Sequence, residues 1–219
     1  EVIRLNKIMR LNRKTHILGK TSVDDFLKNY WQKKPLLIKN AIPNFVSPIT
    51  ESDLFIIAQN EEAVSRLIEH KQGIWQVKYG PFKKSDLPKK TNIPWTILVQ
   101  NINHYFPFAE SFLNLFKFIP YARLDDLMIS YATKKGSVGP HFDSYDVFLF
   151  QAQGVREWKI SDQKKFTLDK KSPIKIITNF KSKNSWVLKP GDMLYLPPNI
   201  GHWGISQSDD CLTYSIGFR

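Results

Sequence analysis

Two potential metal ligands, His141 and Asp143, lie two positions apart, after a Gly139-Pro140 turn and before an apolar run. In an extended strand, side chains two positions apart point to the same face, so the spacing predicts that the imidazole and the carboxylate lie together. Such a pair supplies two of the three ligands of a 2-His-1-carboxylate site, which holds non-haem Fe(II) and leaves positions open for substrate and oxygen. The pattern predicts an iron site if the chain supplies a second histidine.

The second histidine is predicted to be His202. It follows a strand pattern that begins at Gly191-Asp192 and ends at Pro197-Pro198, and in a jelly roll a strand and a rigid turn return a ligand to the same mouth. A lone His-x-Asp pair is weak evidence, because such residues also cap helices and form surface pairs, but the conjunction favours a metal site. The remaining histidines lack these surroundings and are predicted to be surface or core residues: His16, His70 and His104.

Arg156 is the predicted anchor for an anionic co-substrate. It follows the glycine turn at Gly154, which would fold the chain back toward the metal ligands. A guanidinium is a planar fork that matches a carboxylate, and this suits the far carboxylate of 2-oxoglutarate, whose keto-acid end would chelate iron. The alternative is a surface arginine paired with Glu157, which is less favoured because adjacent strand residues point to opposite faces.

The elements around these residues are predicted to be mainly β with flanking helices, in a double-stranded β-helix (jelly roll). Helix starts are indicated at Ser22, with a helix through Trp31, and at Thr50; a third helix is predicted through Phe112 and Phe116, ending at Pro120. Short strands with regular turn signals are typical of a jelly roll or barrel. The predicted strands are 36–38, 64–69, 74–79, 95–99, 127–133, 146–152, 156–160, 173–178, 185–189, 192–196 and 211–218.

Composition narrows the class of protein. The chain has 219 residues, enough for one domain of this size, and its 42% hydrophobic and 13% aromatic content argues against global disorder. The single cysteine, Cys211, cannot form an internal disulfide, which favours a reducing compartment. No apolar run approaches a membrane span and no secretory leader is recognisable, so we expect a cytoplasmic protein without membrane contact.

The net charge of +12 is concentrated in two segments, residues 1–20 and the lysine-rich segment, residues 159–189. Basic segments on a neutral body could contact the ribosome or its RNA by electrostatic attraction. The alternative is a solvated surface in a lysine-rich chain, which needs no nucleic-acid partner.

Several stretches resemble the bacterial ribosomal oxygenases, which are JmjC-type, cupin-like hydroxylases dependent on Fe(II) and 2-oxoglutarate. The resemblance extends over residues 22–219 and rests on DDLMIS (125–130), VGPHFDSYDVF (138–148), YSIGFR (214–219), YWQKKP (30–35), WQV (75–77) and GPF (80–82). It implies that the metal-binding and catalytic residues are His141, Asp143 and His202, that Arg156 grips 2-oxoglutarate, and that O2 is the oxidant.

The resemblance also implies a substrate. Bacterial members hydroxylate an arginine of a large-subunit ribosomal protein, and animal relatives hydroxylate ribosomal histidines. Demethylation of N-methyl groups uses the same chemistry and stays open, as do a non-catalytic cupin-like module on the ribosome and a cupin enzyme for a small molecule. For an arginine target we expect acidic or hydroxyl partners in the pocket, and Asp125, Asp126 and Asp146 are the acidic candidates. Tyr145 and Trp203 are candidate pocket walls or core residues.

Three departures from the family pattern shape the expected domain organisation. Residues 1–21 are expected to be a basic extension and residues 22–219 the oxygenase domain. In family members a helical dimerisation region and a winged-helix module usually follow the Gly-Phe-Arg stretch. This sequence stops at Arg219, so we expect a fragment, a processed form or a minimal member, and dimerisation is left open. Thr213 stands where an asparagine is expected near the co-substrate.

Overall fold

The computed structural model describes residues 16–88 and 93–219. The α-helices are α1 (Val23–Asn29), α2 (Glu51–Ile57) and α3 (Pro107–Leu113), with short 3-10 turns at Ile102–His104, Asn114–Phe116 and Tyr121–Arg123. The strands are β1 (Leu36–Ile38), β2 (Ser65–Lys71), β3 (Ile74–Tyr79), β4 (Trp95–Val99), β5 (Leu124–Ala132), β6 (Asp146–Gln153), β7 (Arg156–Ile160), β8 (Asn184–Leu188), β9 (Met193–Leu196), β10 (His202–Ser206) and β11 (Cys211–Phe218).

The helices begin where the capping signals predict but are shorter than predicted. The Ser22 hydroxyl accepts a hydrogen bond from the Asp25 N–H, and Thr50 and Asp53 form a complete capping box at the start of α2. The predicted extent of the first helix is wrong, because α1 ends at Asn29. The third helix also ends early, since α3 passes into a 3-10 turn at Asn114–Phe116.

The described strands form two antiparallel sheets that face each other, confirming the double-stranded β-helix. The larger has the order β1-β9-β6-β11-β5-β4-β2-β3 and the smaller the order β10-β7-β8. Consecutive partners are far apart in the chain, as when β11 pairs with both β5 and β6. This crossing connectivity brings residues from both ends of the domain to one cavity between the sheets.

One predicted strand is wrong and one strand was missed. Residues 173–178 form no strand; a single bridge joins Leu168 to Ile177 within the long connection from β7 to β8. The unpredicted β10 begins at His202 itself, where the sequence signal is dominated by the preceding proline turn. Its Gly204 lies against Trp158 of β7, because a Cβ there would be 2.6 Å from the indole ring.

Two apolar clusters lie on opposite faces of the larger sheet, as the alternation of side chains along a strand requires. The outer core contains Phe148 and Phe150 of β6 together with aromatic residues of the helices, such as Phe26. The smaller inter-sheet core contains Val147 and Leu149 of the same strand; its other fully buried members are Trp158, Ile160, Leu188, Leu194 and Leu196. The site of interest adjoins the inter-sheet core.

The expected basic extension lies mostly outside the described residues, which begin at His16. The two residues that follow, Ile17 and Leu18, are buried in the outer core. Among the described residues, no helix combines the length and apolar character that a membrane span requires.

Candidate metal centre

The structure brings His141, Asp143 and His202 together. One potential ligand atom from each residue lies within 4.8 Å of the other two. His202 Nε2 is 3.5 Å from Asp143 Oδ2, and the two imidazole rings have centroids 4.2 Å apart. His202 is fully enclosed, whereas the other two side chains are partly exposed toward the cavity. One side of the cluster is therefore closed by protein and the other is open.

The backbone holds these residues in a way that the spacing argument did not predict. His141 and Asp143 do not lie in a continuous strand, because β6 begins only at Asp146. Instead, the N–H of His141 donates to the carbonyl of His202 at 2.9 Å, and the N–H of His202 donates back at 2.8 Å. The N–H of Asn199 donates to the carbonyl of Asp143 at 2.7 Å. The two segments thus brace each other directly.

Both imidazoles are oriented by the same local contact. Nδ1 of His141 lies 2.9 Å from the carbonyl of Gly139, and Nδ1 of His202 lies 2.9 Å from that of Ile200. A carbonyl oxygen can only accept, so Nδ1 carries the proton and Nε2 keeps a free lone pair. Burial and the nearby His141 lower the pKa of His202, which keeps this imidazole neutral. Two imidazoles and a carboxylate fit the donor set of a non-haem Fe(II) site.

A cavity of about 350 Å³ opens beside the cluster, between the two sheets. That volume is within the range of small-molecule sites. Tyr145 lines the cavity, as predicted for a pocket wall, and burial raises its pKa to about 12. Of the two alternatives for Trp203, the pocket wall does not hold, because its indole N–H donates to Ser137 Oγ at 2.9 Å and its ring does not line the cavity.

Arg156 reaches the same cavity from the first position of β7. Gly154, with φ +66°, makes the preceding turn, and a Cβ there would lie 2.3 Å from Ser208 Oγ. Arg156 is only 2% exposed, yet its Nε and Nη2 have no hydrogen-bond partner. Glu157 instead accepts hydrogen bonds from Ser185 and Gln207, so the alternative of an Arg156–Glu157 surface pair is wrong. Buried guanidinium nitrogens without an acceptor fit an anionic ligand.

Hydroxyl groups also line the cavity, and apart from Thr213 none of them was singled out from the sequence. Thr213, the departure from the expected asparagine, faces the cavity and donates to Gln151 Oε1 at 3.1 Å. Ser130 of β5 pairs in register with Thr213, and Ser215 lies two positions further along β11. No motif marks such serines in a sequence; their position follows only from strand register.

The three candidate acidic residues divide into two groups. Asp125 and Asp126 line the cavity. Asp146 does not, because it is 1% exposed and accepts hydrogen bonds from the Tyr195 hydroxyl and the Gln32 side chain. Asp126 accepts one hydrogen bond, from the Asn101 N–H at 3.1 Å, and burial raises its pKa. A desolvated carboxylate with one neutral donor is stabilised by an incoming cation.

The remaining described histidines lie apart from the cluster. His16, His70 and His104 are exposed, and His70 stacks on Trp75 with ring centroids 4.1 Å apart.

Comparison with known proteins identifies a domain and similar proteins. Residues 111–219 match the JmjC domain. The chain is 38% identical over 196 residues to the ribosomal protein uL16 3-hydroxylase of Escherichia coli, and 40% identical over 202 residues to a probable ribosomal oxygenase of Haemophilus influenzae. The chain carries a JmjC domain and is similar to ribosomal oxygenases. Each alignment covers 89% of this chain, but 52% and 48% of these relatives, so the chain spans about half their length.

A solved structure of a ribosomal oxygenase matches most of this chain. The E. coli ribosomal oxygenase YcfD, solved in complex with cobalt and 2-oxoglutarate, superposes with a TM-score of 0.81 at 37% sequence identity. The match covers 92% of this chain and 52% of that one. A metal and a keto acid are thus bound by a protein of the same fold.

Proposed function

We propose that this chain is the catalytic domain of a cytoplasmic oxygenase that uses Fe(II), 2-oxoglutarate and O2 to hydroxylate a side chain of a ribosomal protein. The observation that carries the proposal is that two sets of polar atoms without partners lie in one cavity. His141, Asp143 and His202 present free donor atoms, and Arg156 presents guanidinium nitrogens without an acceptor. Neither set alone distinguishes an oxygenase from another cupin-like protein.

The residues have separate roles in this proposal. His141, Asp143 and His202 would hold Fe(II) on three sides, and the carbonyls behind each Nδ1 would keep the Nε2 atoms aimed at it. Arg156 would hold the far carboxylate of 2-oxoglutarate and fix the orientation of the keto acid. When bound, iron and 2-oxoglutarate supply the oxidising power that inserts one atom of O2 into a substrate C–H bond, with succinate and CO2 as co-products. The inter-sheet core would exclude water around the anchor.

The target side chain is proposed to be an arginine. Asp126 lines the cavity with a desolvated carboxylate, and Tyr145 and Met128 add an aromatic ring and a thioether to the same lining. A guanidinium would supply the missing donors to Asp126 and stack on the ring. The E. coli relative is named as a hydroxylase of ribosomal protein uL16, which makes uL16 the first substrate to test.

The test is turnover of uL16 by the purified chain with Fe(II) and 2-oxoglutarate. We expect succinate release together with a mass increase of one oxygen atom on an arginine of uL16. Oxygen on a histidine would support the histidyl alternative, and loss of a methyl group from a methylated substrate would support demethylation. Metal binding without any succinate release would favour a non-catalytic module or a small-molecule cupin.

Ligand variants connect this activity to the site. His141→Ala, Asp143→Ala and His202→Ala should each abolish stoichiometric iron binding and turnover while the chain stays folded, measured by metal analysis and circular dichroism. His16→Ala, at an exposed histidine outside the site, should retain both. Wild-type iron content in all three ligand variants would exclude this triad.

We further propose that the lysine-rich segment guides the domain to an RNA-rich assembly. It contains the long connection over the cavity mouth, where Ile174 and Lys175 line the cavity. Within this described segment, one ion pair forms, between Lys183 and Asp162 at 2.6 Å, so most of its charge is free to act at a distance. Lys164, Lys165, Lys170 and Lys171 are all exposed.

Reversing these four lysines to glutamate should slow turnover of ribosome-associated uL16 and leave a short peptide substrate nearly unaffected. The difference should shrink above 0.1 M salt, where the Debye length falls below about 10 Å. Equal salt dependence of the wild type and the reversed variant would show that the segment is only a solvated surface.

A further inference from the structure

A second arginine in the cavity is left without a partner. Arg66 of β2 lines the cavity and is partly buried. Its Nε is fully enclosed and has no hydrogen-bond acceptor, and no described carboxylate lies within ion-pair distance of its guanidinium. By contrast, Arg219 at the same cavity is paired with Asp125 at 2.9 Å. An enclosed donor without an acceptor destabilises the folded chain, so Arg66 is poised for a partner that the described part of the domain does not supply.

The position of Arg66 separates it from the proposed co-substrate anchor. In the larger sheet, Thr213 is in register with Ser130, Ser130 with Leu98, and Leu98 with Arg66. Adjacent strands are about 4.8 Å apart, which puts the Arg66 backbone roughly 14 Å from that of Thr213. Arg156 lies on the smaller sheet, opposite Ser206. The two arginines therefore reach the cavity from different sheets.

The surroundings of Arg66 identify the end that would receive a protein substrate. Its charge acts on Tyr145, the aromatic wall beside the metal-binding cluster. Gln100 directly follows the last residue of β4, two positions beyond Leu98, the register partner of Arg66, and it also lines the cavity. A guanidinium and a primary amide side by side offer several N–H donors and one acceptor, a combination that complements the peptide backbone.

We propose that Arg66 is a substrate-binding residue that donates hydrogen bonds to an oxygen acceptor of the protein substrate next to the target side chain. This acceptor is either a main-chain carbonyl or a side-chain carboxylate; both present the same oxygen chemistry to a guanidinium. The inference rests on the proposed function. In that scheme Arg156 orients the co-substrate, and Arg66 sets which peptide segment can enter and in what register.

The experiment measures binding of overlapping synthetic peptides of ribosomal protein uL16 by calorimetry, with the domain loaded with redox-inert Zn(II) and 2-oxoglutarate. Arg66→Met should weaken the best peptide by about tenfold or more, the loss expected for a charge-assisted hydrogen bond. The 2-oxoglutarate affinity should stay unchanged, and Arg66→Lys should recover part of the peptide affinity. Arg123→Met is the matched control, because Arg123 also has an enclosed Nε without a partner but lies over Trp31, outside the cavity.

Each outcome decides the proposal. Peptide affinity unchanged in both Arg66 variants overturns it, and a parallel loss of 2-oxoglutarate affinity would move Arg66 to the co-substrate site and also overturn it. If Arg66→Met fails to fold, the Arg66→Lys result decides. A wild-type domain that binds none of the peptides overturns the uL16 proposal and this inference together, whereas wild-type binding with an indifferent Arg66 overturns this inference alone. Peptides with each acidic residue changed to its amide distinguish a carboxylate acceptor from a main-chain carbonyl.

Discussion

The two faces of strand β6 border different surroundings: one is a fully packed aromatic core, and the other is a cavity with polar groups that lack hydrogen-bond partners. On the outer face, Phe148 is fully buried, with ring centroids 5.0 Å from Phe116 and 4.9 Å from Tyr195. On the inner face, Val147 and Leu149 line a cavity in which arginine nitrogens lack acceptors. The outer core supplies the cohesion of the domain, and this allows the inner face to keep unpaired polar groups for ligands.

The largest expected effect tests the outer core. Phe148→Ala should lower the free energy of unfolding by about 3–5 kcal/mol, because it removes a fully buried ring and leaves a cavity among aromatic neighbours. Urea denaturation measures the change. Phe142→Ala is the matched control on the cavity side: Phe142 is only partly buried and stacks on Phe166, so it should cost much less. Equal losses for the two variants would contradict the division of roles between the faces.

Arg156→Met should show the opposite balance, with a large effect on ligand binding and little on stability. Loss of a bidentate charge-assisted contact should weaken 2-oxoglutarate by about 1.5–3 kcal/mol, or roughly ten- to hundredfold, in a calorimetric titration. The free energy of unfolding should not fall, because the variant removes buried nitrogens that have no partner. Arg156→Lys should restore part of the affinity, since a point charge replaces a fork. An unchanged titration would move the anchor elsewhere.

The smallest expected effect is the acid sensitivity of the metal-free domain. Because burial lowers the pKa of His202 below its ordinary value of 6.5, the unfolded chain binds a proton below pH 6.5 that the folded chain does not. Stability from this group is therefore present above pH 6.5 and is lost as the pH falls toward the lower folded pKa, by at most about 1.4 kcal/mol per pH unit. Urea denaturation at pH 7.5 and 5.5 should show a smaller pH-dependent loss for His202→Gln than for the wild type. An identical loss in both would assign the acid sensitivity to other groups.

Local pattern predicted much of this molecule, and long-range register accounts for most of what it did not predict. Alternation and turn residues located most strands, and residue type and spacing selected the residues that the fold brings together as the His141–Asp143–His202 cluster. The failures have specific physical causes. Residues 173–178 are apolar enough to suggest a strand but find no partner strand, and Asp146 lies close to the ligands in sequence while its carboxylate is taken up by Tyr195.

Arg66 is a residue that local sequence pattern could not single out as part of the cavity. Nothing in its local sequence distinguishes it from the solvent-exposed basic residues of the chain. Only the register of β2 against β4, and of β4 against β5, turns its side chain toward the cavity. Such a residue is recognisable once strand pairing is known.

The reciprocal backbone bridge between His141 and His202 has a consequence for folding. The two residues are 61 positions apart in the chain, so their meeting closes a long loop that the unfolded chain would rarely close by itself. Because main-chain hydrogen bonds close the loop, the loop-closure entropy is already lost before any ion arrives. We therefore expect the ligand cluster to assemble without metal, and an ion that binds it to act as a removable cross-link, raising the melting temperature according to its concentration and its affinity.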